Sequence, residues 1–552
     1  MAERPLRRRL VKMLGSLPLI ADFMRRLGVE RSVNAACPSR DNAHLTHGQV
    51  VLALLGNRLT QPRAMYHLLR WARQWAVGET FGFDAEHLND DRLARCLDAL
   101  APQIDTVQGT ILARAVAVFG LDLRQLHWDL TSVVLDGEFD PEKPPAEAPK
   151  GKHPYPQPGY GYGGVPDQKQ LRVGELVSSD GLVPVFHRSF DGNQADVGTV
   201  VALMQTVRKH VSLPDCLVIG DSKLLSAKVL PQLREQHVHF LAPLPRTKEL
   251  DAEFLSLAAD GWQALDYVPR EQAQRPPAER TQYLGQEVPW VWTHPESGAV
   301  ETFRRLYVIS SEERDTCRRA RNQRLVQAAQ ELNALVERTG SAKASTRKAT
   351  PGKPTPREKL LTRAQKLVAR RKVGAFVQVS VRMVQGIPEL QWELNPEAIG
   401  AAERCDGYYV LLSSGSATHA DASALLRRWK QEWMVERRFH DWKGPLRVRP
   451  VFVTSPKRLA AFMLLLHLAL LVFSLMEREA RRALAARGQT KLPGMLAGHV
   501  AAVPTGANIL IAFESWYLIV EEGPPRECEA TELSAVPQNL WDLLGAKLPV
   551  WG

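Results

Sequence analysis

The chain has 552 residues, 45% of them hydrophobic and 24% charged, a balance typical of a folded globular protein and not of a disordered or fibrous one. Its length predicts roughly three or four structural units and argues against one compact domain. Lys and Arg outnumber Asp and Glu by 71 to 60, and the formal net charge of +11 is compatible with a polyanionic partner without identifying one.

The cysteines and the N-terminus indicate neither a zinc site nor export. The six cysteines are scattered, with no CxxC pair and no histidine at a spacing that suits zinc. Lys12, Asp22 and Arg25 interrupt the apolar run that a secretory signal needs. We therefore expect a reduced, cytoplasmic protein.

Residues 1–120 have the pattern of a helical region. Apolar residues recur at helical spacing, and Asn89, Asp90 and Asp91 form a helix start signal. Two interpretations stay open for this region, a domain that binds DNA or dimerises and a plain helical scaffold.

The pattern then changes to short strands. Residues 126–135 form an apolar, β-branched run with the length of a buried strand, and residues 170–177 and 182–190 look like a hairpin. A helix capped by Asp196 and a strand over residues 216–219 follow. The order β-β-β-α-β predicts the first part of an α/β domain.

A different pattern covers residues 245–405. Aromatic strand-like pieces surround a charged helix near residues 322–338, which predicts a β-rich inserted domain. Residues 341–372 are basic and rich in Pro, Ser and Thr. This stretch is either a solvated linker or an arm on the DNA backbone, and the single sign of its charge favours the arm.

The α/β pattern resumes with a strand over residues 408–412. One helix is predicted over residues 421–443, ending at Gly444 and Pro445. Residues 459–476 are almost wholly apolar and about as long as a membrane span, but a central helix buried against a sheet has the same composition. We predict the core helix and no membrane partner.

Three carboxylates in this order have a chemical use. Phosphodiester transfer by two divalent metal ions needs ionised carboxylates that meet at one point. Asp129 on the first strand, Asp221 at the end of the fourth and a carboxylate on the later helix would supply them. Oxygen ligands suit Mg²⁺, for which Mn²⁺ can substitute.

Helix geometry separates two candidates for the third carboxylate. At about 100° per residue, Glu436 falls on the face of large apolar side chains that includes Trp433, and Arg438 falls on the opposite, solvated side. An inward carboxylate calls for a metal ion or, as the alternative, a buried ion pair. Glu432 lies at the edge of that face, where it can pair with Arg428. We therefore expect Glu436 to be the ligand.

The same helix resembles the signature of a known family, the DDE transposases of bacterial insertion sequences. Their last catalytic helix carries Tyr-x2-Arg-x3-Glu-x6-Lys. Glu436 and Lys443 match it in type and spacing, while Trp429 stands where the family has Tyr and Glu432 where it has Arg. The resemblance looks continuous from about residue 15 to 480 and includes short segments at residues 89–93, 127–132, 220–222 and 446–451.

The resemblance implies an RNase H-like catalytic domain, a mixed five-stranded sheet with helices, which a β-rich insertion splits and a helical N-terminal domain precedes. It implies that Asp129, Asp221 and Glu436 hold the metal and that Lys443 contacts the transposon end. Further DNA contacts are expected from one aromatic residue and six cations: Trp429, Arg437, Arg447, Arg449, Arg370, Arg371 and Lys372. The implied domains are 1–120, helical; 121–244 and 406–485, catalytic; 245–405, insertion with basic linker 341–372; and 486–552, tail.

The reaction that the resemblance implies is cut-and-paste transposition. Hydrolysis at the terminal inverted repeats frees a 3′-OH, which then attacks target DNA, in a synaptic homodimer on double-stranded DNA in the bacterial cytoplasm or nucleoid. Two rival functions stay open. A former transposase kept as a DNA-binding regulator would not need the three carboxylates, and a hydrolytic nuclease of the same fold would share the first step.

Overall fold

The computed structural model describes residues 8–135, 153–158, 168–193, 199–213, 215–340, 356–415, 420–447, 453, 455–496, 498–522 and 526–548. Three sequence predictions lie outside these residues: the helix cap at Asp196, the first half of the basic stretch up to residue 355, and Arg449. The chain divides into two units, one formed by Met1–Ala242 with Arg428–Gly552 and the other by Pro243–Arg427.

The N-terminal part of the first unit consists of short helices, as the sequence predicts. Thr46 and Asn89 cap two of these helices through their side chains, Thr46 in a full capping box. In chain order the elements are β1 (Arg8–Met13), α1 (Leu17–Leu27), α2 (Val29–Ala36), α3 (His47–Thr60), α4 (Leu68–Gln74), α5 (Val77–Phe81), α6 (Asp90–Leu100) and α7 (Ile104–Phe119).

A mixed sheet follows in the same unit. Its elements are β2 (Gln125–Val134), β3 (Gln157–Pro158), β4 (Lys169–Ser178), β5 (Val183–Phe190), α8 (Thr199–Arg208), β6 (Leu217–Ile219), α9 (Val229–Glu235) and β7 (His239–Leu244). The strand order is β5-β4-β2-β6-β7, with β3 also on β4. β4 runs antiparallel to β5 and β2, whereas β2, β6 and β7 are parallel. The predicted strands and hairpin are therefore present.

The second unit contains more helix than its predicted β-rich character allows. Its elements are α10 (Lys248–Ser256), β8 (Gln263–Ala264), β9 (Tyr283–Thr293), β10 (Val300–Ser310), α11 (Ser311–Gly340), α12 (Pro356–Arg370), β11 (Val377–Val384), β12 (Ile387–Leu394), α13 (Pro396–Arg404), β13 (Tyr408–Ser413) and α14 (Ala422–Trp429), which leads out of the unit. Strands β13, β10, β9 and β8 form one antiparallel ladder.

A small core inside this unit corrects the prediction of an extended basic arm. Leu360, Ala364 and Val368 of α12 are buried against α11 and the hairpin of β11 and β12. Their spacing of four residues gives α12 an apolar stripe, and packing of that stripe makes this part of the basic stretch helical. Residues 356–370 are thus an ordered helix and not a linker or an extended arm.

The single helix predicted over residues 421–443 is interrupted. α14 ends at Trp429, a turn covers residues 430–432, and α15 spans Trp433–Lys443. Trp433, predicted to be buried, is 40% exposed because the break changes the direction in which the following side chains point. The predicted directions of the side chains after the break assumed one continuous helix and were therefore wrong.

The apolar run forms α16 (Pro456–Ala486), the central helix of the first unit. By length and composition it could cross a membrane, but its most apolar window is entirely buried inside the protein. His467 is buried and bonds through Nδ1 to Glu175 Oε2 at 3.0 Å, as expected of a core histidine with a partner.

The C-terminal tail is folded, although its sequence has no clear pattern. It consists of β14 (Leu492–Pro493), β15 (Ala501–Ala502), α17 (Gly506–Ala512), β16 (Tyr517–Glu522), β17 (Glu527–Ala530) and α18 (Ala535–Leu544). β16 pairs antiparallel with β1 at the other end of the chain, and β17 pairs with β16. The two ends of the sequence therefore share one three-stranded sheet.

Candidate functional site

Asp129 and Asp221 lie side by side because of the register between two parallel strands. In the parallel register of β2 and β6, His127 lies opposite Ile219. Asp129 follows His127 by two residues, and Asp221 follows Ile219 by two residues. β6 ends at Ile219, so Asp221 stands at the carboxyl end of its strand. A Cβ on Gly220 would come within 3.1 Å of the β2 backbone, so the glycine permits this close approach.

Burial and repulsion raise the pKa of Asp129 to about 6. Burial is the largest cause, and the charges of Asp221 and Glu436 add to it. The Arg172 guanidinium and the backbone N–H of Leu130, which donates to Asp129 Oδ1 at 2.7 Å, oppose the rise. Asp129 is therefore within electrostatic reach of both other predicted ligands, and the protein compensates its charge only in part.

Asp221 is held by the turn that follows it. Its Oδ1 accepts a hydrogen bond of 3.0 Å from the backbone N–H of Lys223, which caps a short 3₁₀ turn. Burial raises the pKa of Asp221, and Arg172 and the Lys223 N–H oppose that rise. The Lys223 ammonium lies 3.8 Å from Oδ2, but both side chains are about half exposed, so this ion pair is weak.

Glu436 lies in the first turn of α15 and is exposed, which corrects its predicted inward position. The buried side of α15 consists of Met434, Val435, Arg438, Phe439, Asp441 and Trp442. Glu436 and Lys443, seven residues apart, share the other side of the helix. The charge of Glu436 still helps to raise the pKa of Asp129, so its carboxylate lies within electrostatic reach of that aspartate.

A fourth carboxylate, that of Glu432, belongs to the same cluster. Its pKa rises to about 7, first through burial and then through the charges of Asp129, Asp221 and Glu436. No ion pair with Arg428 was found, and burial alone lowers the pKa of that arginine. The sequence analysis placed Glu432 outside the site, although its spacing of four residues from Glu436 is the signal that could have included it.

Besides Lys223, two cations lie near the carboxylates. Arg172 on β4 donates to Ser132 Oγ at 3.2 Å, and burial lowers its pKa while Asp129 and Asp221 act to raise it. Lys443, at the end of α15, donates to Thr131 Oγ1 on β2 at 2.6 Å. This bond ties α15 to the strand that carries Asp129. Arg172 has no counterpart in the sequence motif and was missed.

A buried ionic network fixes the other side of α15. Arg438, predicted to be solvated, is fully buried and donates to Asp441 Oδ2 at 2.7 Å and to the carbonyl oxygen of Leu182 at 2.6 Å. Glu477 on α16 is also buried and lies 3.5 Å from Arg438, 3.2 Å from Arg437 and 2.7 Å from Arg481. The network explains why these arginines point inward, since each meets a partner on a packed element.

The remaining predicted DNA contacts have different surroundings. Trp429 ends α14, with the Lys430 ammonium 4.8 Å above its ring. Arg437 pairs with buried Glu477, which argues against its predicted DNA contact. Arg447 and Lys372 are exposed at positive φ angles of 44° and 56°.

Arg370 and Arg371 are also engaged within the protein. Both form an ion pair with Glu331 of α11, and Arg370 remains 68% exposed. Arg371 also donates to Gln327 Oε1 at 2.8 Å. Because the Glu331 carboxylate offsets part of their positive charge, these two arginines should attract a DNA phosphate less strongly than two unpaired arginines would.

The space beside Asp129 and Asp221 is too small for a substrate pocket. The cavity next to these residues has a volume of about 10 Å³, room for roughly one water molecule. Within the described parts of the chain, no three His, Cys, Asp or Glu side chains are gathered closely enough to hold a metal ion as they stand. An ion at these residues would therefore need the carboxylates to turn towards each other.

The fold and site define a mixed α/β protein with a cluster of acidic residues at the carboxyl end of a parallel strand pair. Residues 148–472 match the family model described as a transposase DDE domain, and the chain belongs to that family. The match contains Asp221 and Glu436 and begins after Asp129. Residues 10–106 match a domain family of unknown function.

The other comparisons add little. No significant match was found among curated proteins. Among solved structures, the chain is similar to one described as a piggyBac transposase synaptic complex with hairpin DNA, at 9% sequence identity and a TM-score of 0.38. That similarity covers 92% of this chain and 82% of the other, but a score this low does not establish a shared fold.

Proposed function

We propose that this protein is the transposase of a bacterial insertion sequence, of the group with the Tyr-x2-Arg-x3-Glu-x6-Lys signature. It binds the terminal inverted repeats, cleaves the DNA ends and joins the freed 3′-OH ends to target DNA, as a synaptic homodimer in the cytoplasm. Membership in the transposase DDE domain family supports the class of reaction. The observation that carries the site is the register of β2 and β6, which puts Asp129 beside Asp221.

The catalytic domain is proposed to be RNase H-like, split by the unit from Pro243 to Arg427. Support comes from the strand order β5-β4-β2-β6-β7, in which the first three strands are antiparallel and the last three parallel. β6 ends at Ile219 beside the middle of β2, where Asp129 stands, and Glu436 of α15 lies within electrostatic reach of Asp129.

Asp129, Asp221 and Glu436 are proposed to hold Mg²⁺, with Mn²⁺ as a substitute. The donor set fits, because all the ligands are carboxylate oxygens, which hard divalent cations prefer. The charges also fit, because the carboxylates repel each other and the protein supplies too little positive charge to offset that repulsion. Bound divalent cations would stabilise the attacking and leaving oxygens of the phosphodiester exchange.

The chain's own residues have separate tasks in the proposed reaction. In the first step a water oxygen bonds to phosphorus, the bond from phosphorus to the 3′ oxygen breaks, and a 3′-OH leaves. In the second step that 3′-OH attacks a phosphorus of target DNA and displaces another 3′-OH. Lys443 and Arg172 stand next to the carboxylates, where their charges can hold a phosphate of the DNA end.

The test is an assay with purified protein, Mg²⁺, a target plasmid and a donor plasmid that carries this reading frame with its flanking DNA. The proposal expects excised donor and sequenced joints in the target, and neither product from the Asp129→Asn variant. Binding of the flanking DNA without cleavage would instead indicate a regulator. Cleavage without joints would indicate a hydrolytic nuclease.

A further inference from the structure

The N-terminal helices form a cavity that the proposed catalytic site does not use. It lies between the loop after α2 and the start of α6 and has a volume of about 370 Å³. We call it the N-terminal basic pocket; it is lined by Ser39, Arg40, Asn42, Ala43, His44, Leu45, His47, His87, Asn89, Arg92 and Arg95. Three arginines and three histidines are present, and no acidic residue is among these described lining residues.

Arg92 forms the fixed base of this pocket. Its side chain is only 9% exposed and donates twice to the carbonyl oxygen of Leu45, from Nε at 3.1 Å and from Nη2 at 2.9 Å. Nη1 lies 3.2 Å from His47 Nδ1. Burial and the Arg92 charge lower the pKa of His47 to about 4, so His47 is neutral at pH 7 and accepts this hydrogen bond. Arg92 is therefore a preoriented cation, and its hydrogen-bond partners, the Leu45 carbonyl and His47, are both neutral.

Arg40 and Arg95 are exposed residues that complete the pocket. Neither forms an ion pair with any residue that the structure describes. The charge of Arg95 lowers the pKa of Arg92 further, so these two cations repel each other across the pocket. A bound anion would relieve that repulsion.

Two stacked histidines form part of the wall. The rings of His44 and His87 are 4.1 Å apart at their centroids and nearly parallel. Asp84 lies 3.6 Å from His87 Nε2, and Asp41 belongs to the same loop as Arg40, yet neither lines the pocket. The nearby acidic groups therefore offset only part of the positive charge.

We propose that the N-terminal basic pocket binds a backbone phosphate of double-stranded DNA. The inference rests on the proposed function and gives a task to the segment from Asn89 to Arg92, which the catalytic site leaves without one. Asn89 caps α6 through its side chain, so the same segment both starts the helix and positions Arg92. The pocket lies within the residues that match a domain family of unknown function, and a phosphate contact there would favour the DNA-binding interpretation of residues 1–120 over a plain helical scaffold.

DNA fits the pocket better than a free phosphate ion does. A buried arginine, exposed arginines and the amide or hydroxyl groups of Asn42 and Ser39 are the residue types that contact the DNA backbone. The volume of about 370 Å³ also leaves room for the sugar next to the phosphate. Contacts of this kind position a protein on DNA without reading its sequence.

The test compares two double variants of the full-length protein on a duplex of about 30 base pairs of arbitrary sequence. Arg40→Gln with Arg95→Gln removes the exposed cations of the pocket. Arg31→Gln with Arg70→Gln removes the same charge from exposed positions of the same helical region outside the pocket. Both pairs are on the surface, and thermal unfolding checks that each variant folds.

The pocket variant should bind on the order of 10-fold more weakly at about 0.1 M salt, and its plot of log affinity against log salt should be flatter by roughly 1, because one phosphate contact is lost. The control variant should keep the wild-type slope. Equal slopes in all three proteins would overturn the pocket and leave the proposed function standing. A wild-type protein that does not bind DNA would overturn the proposed function itself.

A further measurement, with inorganic phosphate, distinguishes a DNA backbone phosphate from a free phosphate compound as the ligand. In one outcome, millimolar inorganic phosphate binds to the wild-type protein but not to the pocket variant, and the salt slopes for DNA are equal. The pocket then binds a free phosphate compound, and the inference is wrong. If inorganic phosphate competes only weakly and the slopes differ, the pocket serves DNA.

Discussion

The carboxylates on the two sides of α15 differ in how many positive groups surround them. On the packed side, Glu477 is 1% exposed and lies within 3.5 Å of three arginines, and its Oε2 also accepts a hydrogen bond of 3.0 Å from the backbone N–H of Gly506. On the other side, Arg172 acts on Asp129 and Asp221, Lys223 forms a half-exposed ion pair with Asp221, and no cation contributes to the raised pKa of Glu432.

The difference shows which charges serve the fold and which serve a ligand. Removing a charge from water is costly unless it is paired, so a purely structural carboxylate is surrounded by donors, as Glu477 is. Beside β2 and β6, neighbouring carboxylates raise the pKa of Asp129 and Glu432 instead, so protonation or a cation from outside would relieve their repulsion. The proposed catalytic side thus carries a deficit of positive charge that the structural side lacks.

The largest expected effect is a loss of DNA cleavage when a carboxylate on the proposed catalytic side of α15 is replaced. Asp129→Asn or Asp221→Asn keeps the shape of the side chain but removes an ionic ligand. DNA cleavage should fall at least about 100-fold, because loss of an outer partner of a metal ligand already costs 10- to 100-fold. End binding should remain close to that of the wild type.

Gel assays of cleavage and of end binding measure the two effects. The matched control is Asp122→Asn, a carboxylate just before β2 whose partner is the exposed Arg124. Cleavage by either site variant at a tenth or more of the wild-type rate would remove that residue from the site.

On the structural side, Arg438→Met should leave Asp441 without its buried ion-pair partner and remove one of the three arginines around Glu477. We expect a loss of about 3 kcal/mol in the free energy of unfolding, since breaking one side of a buried ion pair typically costs 3–5 kcal/mol. The value falls at the low end because Arg437 and Arg481 still contact Glu477.

Chemical denaturation measures this change. Arg73→Met removes an ion pair that is exposed on both sides and should cause no measurable change. Equal stability of the Arg438 variant and the wild type would mean that the network does not hold α15 in place.

A second comparison is between Glu436 and Glu432, two of the four carboxylates near β2 and β6. Glu436→Gln should stop cleavage at any Mg²⁺ or Mn²⁺ concentration, because Glu436 is the proposed ligand. Glu432→Gln should lower the rate by about 10-fold or less, because removing its charge only changes the electrostatic environment of the ligands. Cleavage rates over a metal titration distinguish the two, and the reverse pattern would place the ligand one helical turn earlier.

The smallest effect concerns the cations of α12. Arg363 and Lys366 are exposed and form no ion pair with described residues, whereas Arg370 and Arg371 share Glu331. Replacing Arg363 and Lys366 with Gln should flatten the salt dependence of DNA affinity by up to roughly 2. The matched change of Arg370 and Arg371 should flatten it less. Unchanged slopes in both variants would mean that α12 does not contact DNA.

Much of the first unit could be predicted from local pattern. The strand β2, the hairpin of β4 and β5, and the strand β6 that ends before Asp221 all follow from short apolar runs and turn residues. Asp129 within the apolar run of β2 and Asp221 just after the end of β6 could both be located from sequence, because short apolar runs and strand ends are local signals. The long apolar run likewise predicted that α16 is the buried central helix.

Other features were decided by contacts between residues far apart in the chain. The turn at residues 430–432 lies where Gln431 Oε1 accepts a hydrogen bond of 2.9 Å from Gln125 Nε2 on β2, and no periodicity of the helix itself reveals it. The same break put Glu432 into the acidic cluster and turned Arg438 inward.

Sequence by itself therefore determined the strands and the central helix of the first unit and the positions of Asp129 and Asp221, because backbone propensity and apolar periodicity act over a few residues. Tertiary structure decided which charges are neutralised. Arg438 meets Leu182 and Glu477, and β1 meets β16, only after distant segments have packed. The energy of a buried charge depends on such partners, so the division between the structural and the proposed catalytic side of α15 appears only in the folded chain.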